Sequence, residues 1–154
     1  MDATVSTVCK QLSAADLPIL HRLLALFGEA FGEPDTYQGA VPSDAYLAKL
    51  LGRPHFIALA ALDGDEVIGG LAAYQLEKFE RARSEIYLYD LAVREAHRRK
   101  GVATALIRAL QEIAKERGVY LIYVQADTGD GPAIALYESL GTREDVHHFD
   151  IPVG

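Results

Sequence analysis

The chain has 154 residues, half of them hydrophobic, a length that sustains one packed core and a composition too apolar for disorder. Fifteen Lys and Arg against 22 Asp and Glu leave a net charge of −7, which argues against a nucleic-acid binder and favours cationic partners. The single cysteine, Cys9, permits no intrachain disulfide or thiolate metal site and reads as a small buried hydrophobe.

Met1-Asp2-Ala3-Thr4 shows no basic stretch followed by an apolar one, and the longest apolar run, Phe56 to Leu62, is too short to span a bilayer. The expectation is a cytoplasmic, single-domain protein over residues 1–154 with no membrane partner. Residues 4–12, with Val5 and Val8, suggest a short strand. Ser13 is then placed to cap a helix from about Ala14 to Phe31, whose positions Leu17, Leu20, Leu24, Phe27 and Phe31 keep helical spacing until Gly32-Glu33-Pro34. A loop through Tyr37 and Gly39 follows. Ser43 caps a short helix carrying Tyr46, Leu47, Leu50 and Leu51, closed by Gly52 and Pro54.

Phe56 to Leu62, the turn Asp63-Gly64-Asp65 and Val67 to Tyr74 predict a hairpin, and its nearly continuous apolar strands imply burial on both faces. After a solvated link containing Glu80-Arg81-Ala82-Arg83, Glu85 to Val93 reads as a third long strand and Val119 to Ala126 as a fourth. The helix between them puts Ala103, Leu106, Ala109 or Leu110, Ile113 and Ala114 on one face and Arg108, Glu112, Lys115 and Glu116 on the other, a strand-helix-strand unit. A last helix from Pro132 to Leu140 stops at Gly141, and Val146 to Ile151 reads as a closing strand.

The segment Leu91 to Thr104 is a strand feeding a basic, Gly-containing loop that opens into a helix. Free N–H groups and the positive dipole end make such a start an anion site, with a pyrophosphate as natural guest; the alternative is a solvated basic turn. Gly101 and Ala103 allow close approach, and Arg98, Arg99 and Lys100 add positive charge.

Arg98-x-x-Gly101-x-Ala103 after Leu91-Ala92-Val93 resembles the acetyl-CoA signature of the GNAT superfamily of N-acetyltransferases. Pro132 to Gly141 is similar to that family's helix bearing a tyrosine near the coenzyme sulfur. A closer resemblance, to the type I aminoglycoside 3-N-acetyltransferases, runs through Phe56 to Ala61, Leu71 to Tyr74, Arg83 to Tyr87, Tyr89 to Val93, Val124 to Asp127 and His148 to Ile151. It implies a mixed α/β fold: a twisted, mostly antiparallel sheet flanked by helices, with one parallel pair whose strands splay between Asp90 and Val124. It also implies acetyl-CoA as cosubstrate, held by Leu91, Ala92, Val93, Arg98, Arg99, Lys100, Gly101, Val102, Ala103 and Thr104. The acceptor it implies is the 3-amino group of gentamicin-type aminoglycosides, with a homodimer as the assembly. Polyamines or protein amines are the alternative acceptors, and a non-catalytic acetyl-CoA-binding module is the alternative from another class.

Strict alternation along Glu85 to Val93 puts Ile86, Leu88, Asp90 and Ala92 on one face. A carboxylate among apolar neighbours gains the raised pKa that suits a general base for an incoming ammonium; otherwise Asp90 is a paired structural residue. By resemblance, Tyr137 serves the leaving thiolate; otherwise it is an amphipathic core tyrosine. His147 and His148 alternate faces, which is the wrong geometry for shared metal ligation, and no metal is expected. Tyr74, Asp127, His148 and Asp150 are the acceptor-site candidates. Glu29, Glu33, Asp35, Asp130 and Glu138 are weaker candidates for an acidic wall, and the resemblance implies that the loop from Glu33 to Val41 borders the acceptor.

Overall fold

The computed structural model describes residues 7–154. Its elements are β1 (Thr7–Gln11), α1 (Leu17–Ala30), α2 (Pro34–Gln38), α3 (Asp44–Leu51), β2 (Phe56–Asp63), β3 (Glu66–Glu77), β4 (Ser84–Val93), α4 (Val102–Glu116), β5 (Leu121–Val124) and α5 (Gly131–Leu140), with short 3-10 turns at Ala14–Asp16 and Glu95–His97. The expected start of the first strand at residues 4–6, Val5 included, lies outside the described residues. One five-stranded sheet runs in the order β1-β2-β3-β4-β5, antiparallel except for the parallel pair β4 and β5. The mixed α/β architecture is therefore as the sequence implied.

Local chemistry sets the boundaries. Ser13 and Asp16 form a reciprocal capping box, and Lys10 reaches Asp16 at 2.8 Å. The Ser43 hydroxyl accepts from the Tyr46 N–H, and Asp130 accepts from the Ala133 N–H at the start of α5. Gly64, at φ +61°, makes the tight β2 to β3 turn.

The sheet separates two cores. On one side Ile57, Leu59, Leu71, Ile86 and Leu88 pack against Leu106 and Leu110 of α4. On the other, small residues Ala58 and Ala60 lie under Leu20, Leu23, Leu26 and Phe27 of α1 and Leu47 and Leu51 of α3. The α1 face is wider than the expected one: Leu20 and Phe27 are buried with Leu17 and Leu24 packed beside them, Leu23 and Leu26 join them in the core, and only Phe31, 38% exposed, falls outside it. Close approach is obligatory here, because a Cβ on Gly70 would collide with Leu23 and lie 2.7 Å from the Leu59 carbonyl oxygen. Each fully buried Leu or Ile of these layers contributes about 1.5–3 kcal/mol.

Four expectations need correction. Residues 34–38 form α2 rather than loop, because Pro34 suits a first helical turn and Gly28 leaves room for α2 against α1. The fourth strand is shorter than Val119 to Ala126, since only residues 121–124 find partners, on residues 85–88 of β4. The stretch Val146 to Ile151 is not a strand of this sheet; residues 142–154 have no regular structure and are exposed throughout.

The fourth correction concerns Asp90. Ala72 pairs with Asp90 but Ala73 pairs with Leu88, so Tyr89 is an extra residue, a β-bulge. The bulge reverses the alternation. Ile86 and Leu88 face α4, while Ala92 packs in the core under α1 and Asp90 turns to that same side.

Candidate functional site

The start of α4 presents free backbone donors at the positive end of the helix dipole. Gly101 occupies the left-handed region at φ +80° and Arg99 at φ +64°. Among the described residues the backbone N–H groups of residues 99–104 find no acceptor, the first capping bond being Ala105 N–H to the Gly101 carbonyl. Such a row of free N–H groups, reinforced by the helix dipole, can cradle an oxyanion. The side chains divide their tasks. Val102 is buried in the core and presents only its backbone, as do Ala92 and Val93. The Arg98 Nε donates to the Val93 carbonyl at 3.0 Å, tying loop to strand, while Arg99 and Lys100 remain exposed.

Beside the cradle the sheet opens. β5 pairs with residues 85–88 only, so the β5-facing edge of residues 90–93 carries no partner strand. A cleft of about 100 Å³ follows the gap, lined by Leu88, Ile107, Ile122, Val124, Tyr137 and Leu140. Tyr137 packs from α5 against the core, and burial, then the charge of Asp130, raises its hydroxyl pKa, so it stays protonated at neutral pH.

On the opposite side of β4, the bulge delivers Asp90 into a pocket of aromatic side chains. The Tyr37 hydroxyl donates to Asp90 Oδ1 at 3.2 Å. Tyr37 is held by Phe31 and Phe27, with ring centroids 5.7 and 6.0 Å away. Tyr74 meets Tyr89 edge-on at 5.9 Å, Tyr89 meets Tyr87 at 5.3 Å, and Tyr87 stacks on Tyr123 at 4.6 Å. Burial pushes the Asp90 carboxyl above its usual range; the Tyr37 bond opposes this and the Glu33 charge adds to it. Burial and the Asp90 charge likewise raise Tyr37 and Tyr74. A partly desolvated carboxylate of this kind can take a proton from an ammonium.

The structure thus brings together Asp90, Tyr74 and the splayed edge, with Tyr137 on the other wall. Tyr37 was missed, because it lies on a stretch read as loop and no spacing links it to Asp90. Of the other acceptor candidates, Asp127 lies exposed in the turn before α5, following Gln125, whose Oε1 accepts from the Tyr87 hydroxyl at 3.0 Å. Among the described residues His148 and Asp150 hydrogen bond only to each other, at 2.9 Å, in the exposed 142–154 segment. Glu29 lines a separate cavity of about 220 Å³ with Arg94 and Arg98, where its charge faces cations. Asp35, Asp130 and Glu138 are exposed, and Glu138 pairs with Arg143 at 3.5 Å. Asp63, Glu66 and His97 bring ligand-type atoms within 4.8 Å at the β2–β3 turn, where Glu66 also meets Arg94 at 3.7 Å. Cys9 is half-buried, and burial raises its thiol pKa, as befits packing rather than nucleophilic chemistry.

Residues 20–142 match the model of the acetyltransferase (GNAT) family. The chain belongs to the GNAT family. Asp90 and the unpaired edge lie on the second half of β4, and the loop that follows leads to the start of α4. The chain is 57% identical to an aminoglycoside acetyltransferase, HMB0005, from an uncultured soil metagenomic sample, with a TM-score of 0.95 over 97% of this chain and 99% of that one. It is 31% identical to the aminoglycoside acetyltransferase meta-AAC0020, also from an uncultured soil metagenomic sample and solved in complex with sisomicin, with a TM-score of 0.89 over 96% and 97% of the two chains. Among curated proteins, N-acetyltransferase family 8 member 2 of Rattus norvegicus is 29% identical over 89 residues, 58% of this chain and 39% of the rat protein. The chain thus spans about two fifths of that relative's length. Among the described residues no helix is long and apolar enough to cross a membrane.

Proposed function

We propose that this GNAT protein transfers an acetyl group from acetyl-CoA to the 3-amino group of gentamicin-type aminoglycosides by direct transfer. The observation that carries the reading is Asp90: a half-buried carboxylate with a raised pKa, on a tyrosine-lined face next to the unpaired edge of β4. The similarity to aminoglycoside acetyltransferases over nearly the whole chain supports the acceptor class.

The unpaired N–H groups of residues 99–104 fit a pyrophosphate, with Arg99 and Lys100 contributing charge, and the β4–β5 gap fits a narrow pantetheine arm. When bound, acetyl-CoA supplies the acyl group as an activated thioester. Asp90 takes the proton that the acceptor ammonium must lose, directly or through water, so that the nitrogen lone pair becomes available. The backbone edge around Leu91 stabilises the negative charge that develops on the thioester oxygen as the N–C bond forms. Tyr137, kept protonated by burial, gives its proton to the sulfur as the C–S bond breaks. Glu33 and Asp90 supply negative charge, and Tyr74, Tyr87 and Tyr89 offer ring faces and hydroxyls to a polycationic sugar. Asp127 sits at the end of the segment that borders these tyrosines and is proposed as a rim carboxylate, with Asp150 and His148 as further acceptor contacts.

The deciding experiment measures coenzyme release with gentamicin, spermidine and a peptide amine, and locates the product's acetyl group by NMR. Acetylation of gentamicin at the 3-amino group is expected, and Asp90→Asn should lower kcat by about two to four powers of ten with little change in acetyl-CoA affinity. Brisk turnover of spermidine or the peptide without gentamicin would move the acceptor to that class. Binding of acetyl-CoA without turnover of any amine would make the protein a coenzyme-binding module.

A further inference from the structure

The β2–β3 turn and the turn that follows β4 meet at three side chains that acetyl transfer leaves unused. Asp63 and Glu66 face each other as the last paired residues of the hairpin, with Gly64 at φ +61° in the tight turn between them. The Arg94 N–H donates to the Ile68 carbonyl at 2.7 Å, so β4 leaves the sheet beside this hairpin. The His97 N–H then donates back to the Arg94 carbonyl at 2.8 Å, closing the 3-10 turn Glu95–His97. One ligand-type atom from each of Asp63, Glu66 and His97 comes within 4.8 Å of the other two.

Two features set this group apart from ordinary surface charge. Carboxylates on directly opposed strand positions repel each other, and Asp65 adds a third acid to the same turn. Arg94 offsets this only in part: its Nε is 3.7 Å from Glu66 Oε2, and Nε and Nη2 are both engaged with the Val67 carbonyl at 3.3 Å. The second feature is His97, whose Nδ1 is buried and finds no hydrogen-bond partner among the described residues. Buried ring nitrogens are ordinarily satisfied, and here neither carboxylate holds this one.

We propose that Asp63, Glu66 and His97, the last through its unpartnered Nδ1, bind a divalent transition metal of the Zn²⁺ class. The donor set decides the class, because an imidazole nitrogen beside carboxylates suits Zn²⁺, whereas Mg²⁺ and Ca²⁺ prefer oxygen alone. Three protein ligands leave a fourth tetrahedral position for water. Bonds of about 2.0–2.2 Å set tetrahedral ligands roughly 3.4 Å apart, so the three atoms close by on the order of 1 Å, within reach of a rotation of the exposed Glu66 side chain. Arg94 keeps its bonds to the Val67 carbonyl when Glu66 turns. The ion ties the β2–β3 hairpin to the loop that carries Arg98 to Thr104. The proposal stands apart from the choice of acceptor and from the catalytic reading, whose residues it does not use.

The test uses the full chain, stripped of metal with a chelator. Calorimetric titration with ZnCl₂ should show one saturable site at micromolar zinc, and MgCl₂ should show none. Asp63→Asn, Glu66→Gln and His97→Gln should each weaken zinc binding about tenfold or more. Glu66 is exposed, so its variant keeps the fold even where another does not. His21→Gln and His148→Gln, which remove the histidines paired with Asp44 and Asp150, should leave zinc affinity unchanged. Zinc should also raise the melting temperature of the parent but not of His97→Gln. Absence of zinc binding, an affinity indifferent to all three substitutions, a loss produced by changing His21 or His148 alone, or magnesium binding as tight as zinc would each overturn the site.

Discussion

Tyr37 and Asp90 stand 53 residues apart in the chain, yet the Tyr37 hydroxyl donates to Asp90 Oδ1 at 3.2 Å. The bond favours the ionised carboxylate, against burial and against the nearby Glu33 charge, which disfavour it. Three elements therefore set one acidity: the β4 bulge aims the carboxyl, and α2, packed on α1, supplies the opposing neighbours.

Tyr37→Phe keeps the ring against Phe27 and Phe31 but deletes the donor. The Asp90 pKa should rise, so the acid limb of the kcat/KM profile should move to higher pH. Glu33→Gln removes a like charge and should move the same limb to lower pH. Profiles of both variants against the parent check the pair of opposite shifts; displacement in the same direction would contradict the arrangement.

Asp90→Asn should raise thermal stability near neutral pH while lowering turnover. The folded-state pKa of Asp90 is raised above its unfolded value, so its stabilising contribution is present below the unfolded pKa and is lost as pH rises through the folded one. The amide keeps an acceptor for Tyr37 and carries no charge to desolvate. Melting curves should therefore show a gain for the variant at pH 7 that shrinks toward pH 3.

Tyr137→Phe preserves the ring in the cleft beside Leu88 and Val124. A fall in kcat with an unchanged melting temperature is expected from loss of a proton donor to sulfur. Full activity in the variant would leave Tyr137 as a packing residue only.

Gly101→Val should raise the acetyl-CoA dissociation constant about tenfold or more. No atom lies within 4 Å of a Cβ built there, so the penalty comes from φ +80°, which a branched residue avoids by reshaping the cradle. Gly101→Asn, whose side chain tolerates this region, should lose markedly less. Calorimetric titration of both variants separates backbone strain from bulk.

Leu23→Ala should cost about 2–5 kcal/mol, the range for a fully buried leucine, because Leu23 fills the space that Gly70 leaves between α1 and β3. Gly70→Ala should also destabilise, since the Leu59 carbonyl cannot move as a side chain can. Urea unfolding measures both.

Much of this protein was legible in residue order. Ser13, Ser43 and Gly64 marked element boundaries because caps and tight turns are local chemistry. The Phe56 to Leu62 and Val67 to Tyr74 runs predicted strands buried on both faces. The Leu91 to Thr104 segment declared a strand, a glycine-bearing loop and a helix start in sequence, which is all an anion cradle requires. Asp90 stood out as a carboxylate in an apolar strand, although the face assigned to it was wrong.

What the tertiary structure decided lies where the chain departs from strict periods or where distant segments meet. The bulge at Tyr89 adds one residue to β4 without any change in composition, and that one residue moves Asp90 from the α4 side to the tyrosine-lined side. The helix α2 is five residues long, too short for a periodic signature, so Tyr37 became visible only once α1 offered Gly28 and Phe31 to pack against. Residues 146–151 have the pattern of a strand, but a strand needs a partner edge, and no element of the chain's own sheet pairs with them. Sequence determined which segments favour which conformation; the tertiary structure decided which of them meet, since pairing and burial are settled between segments far apart in the chain.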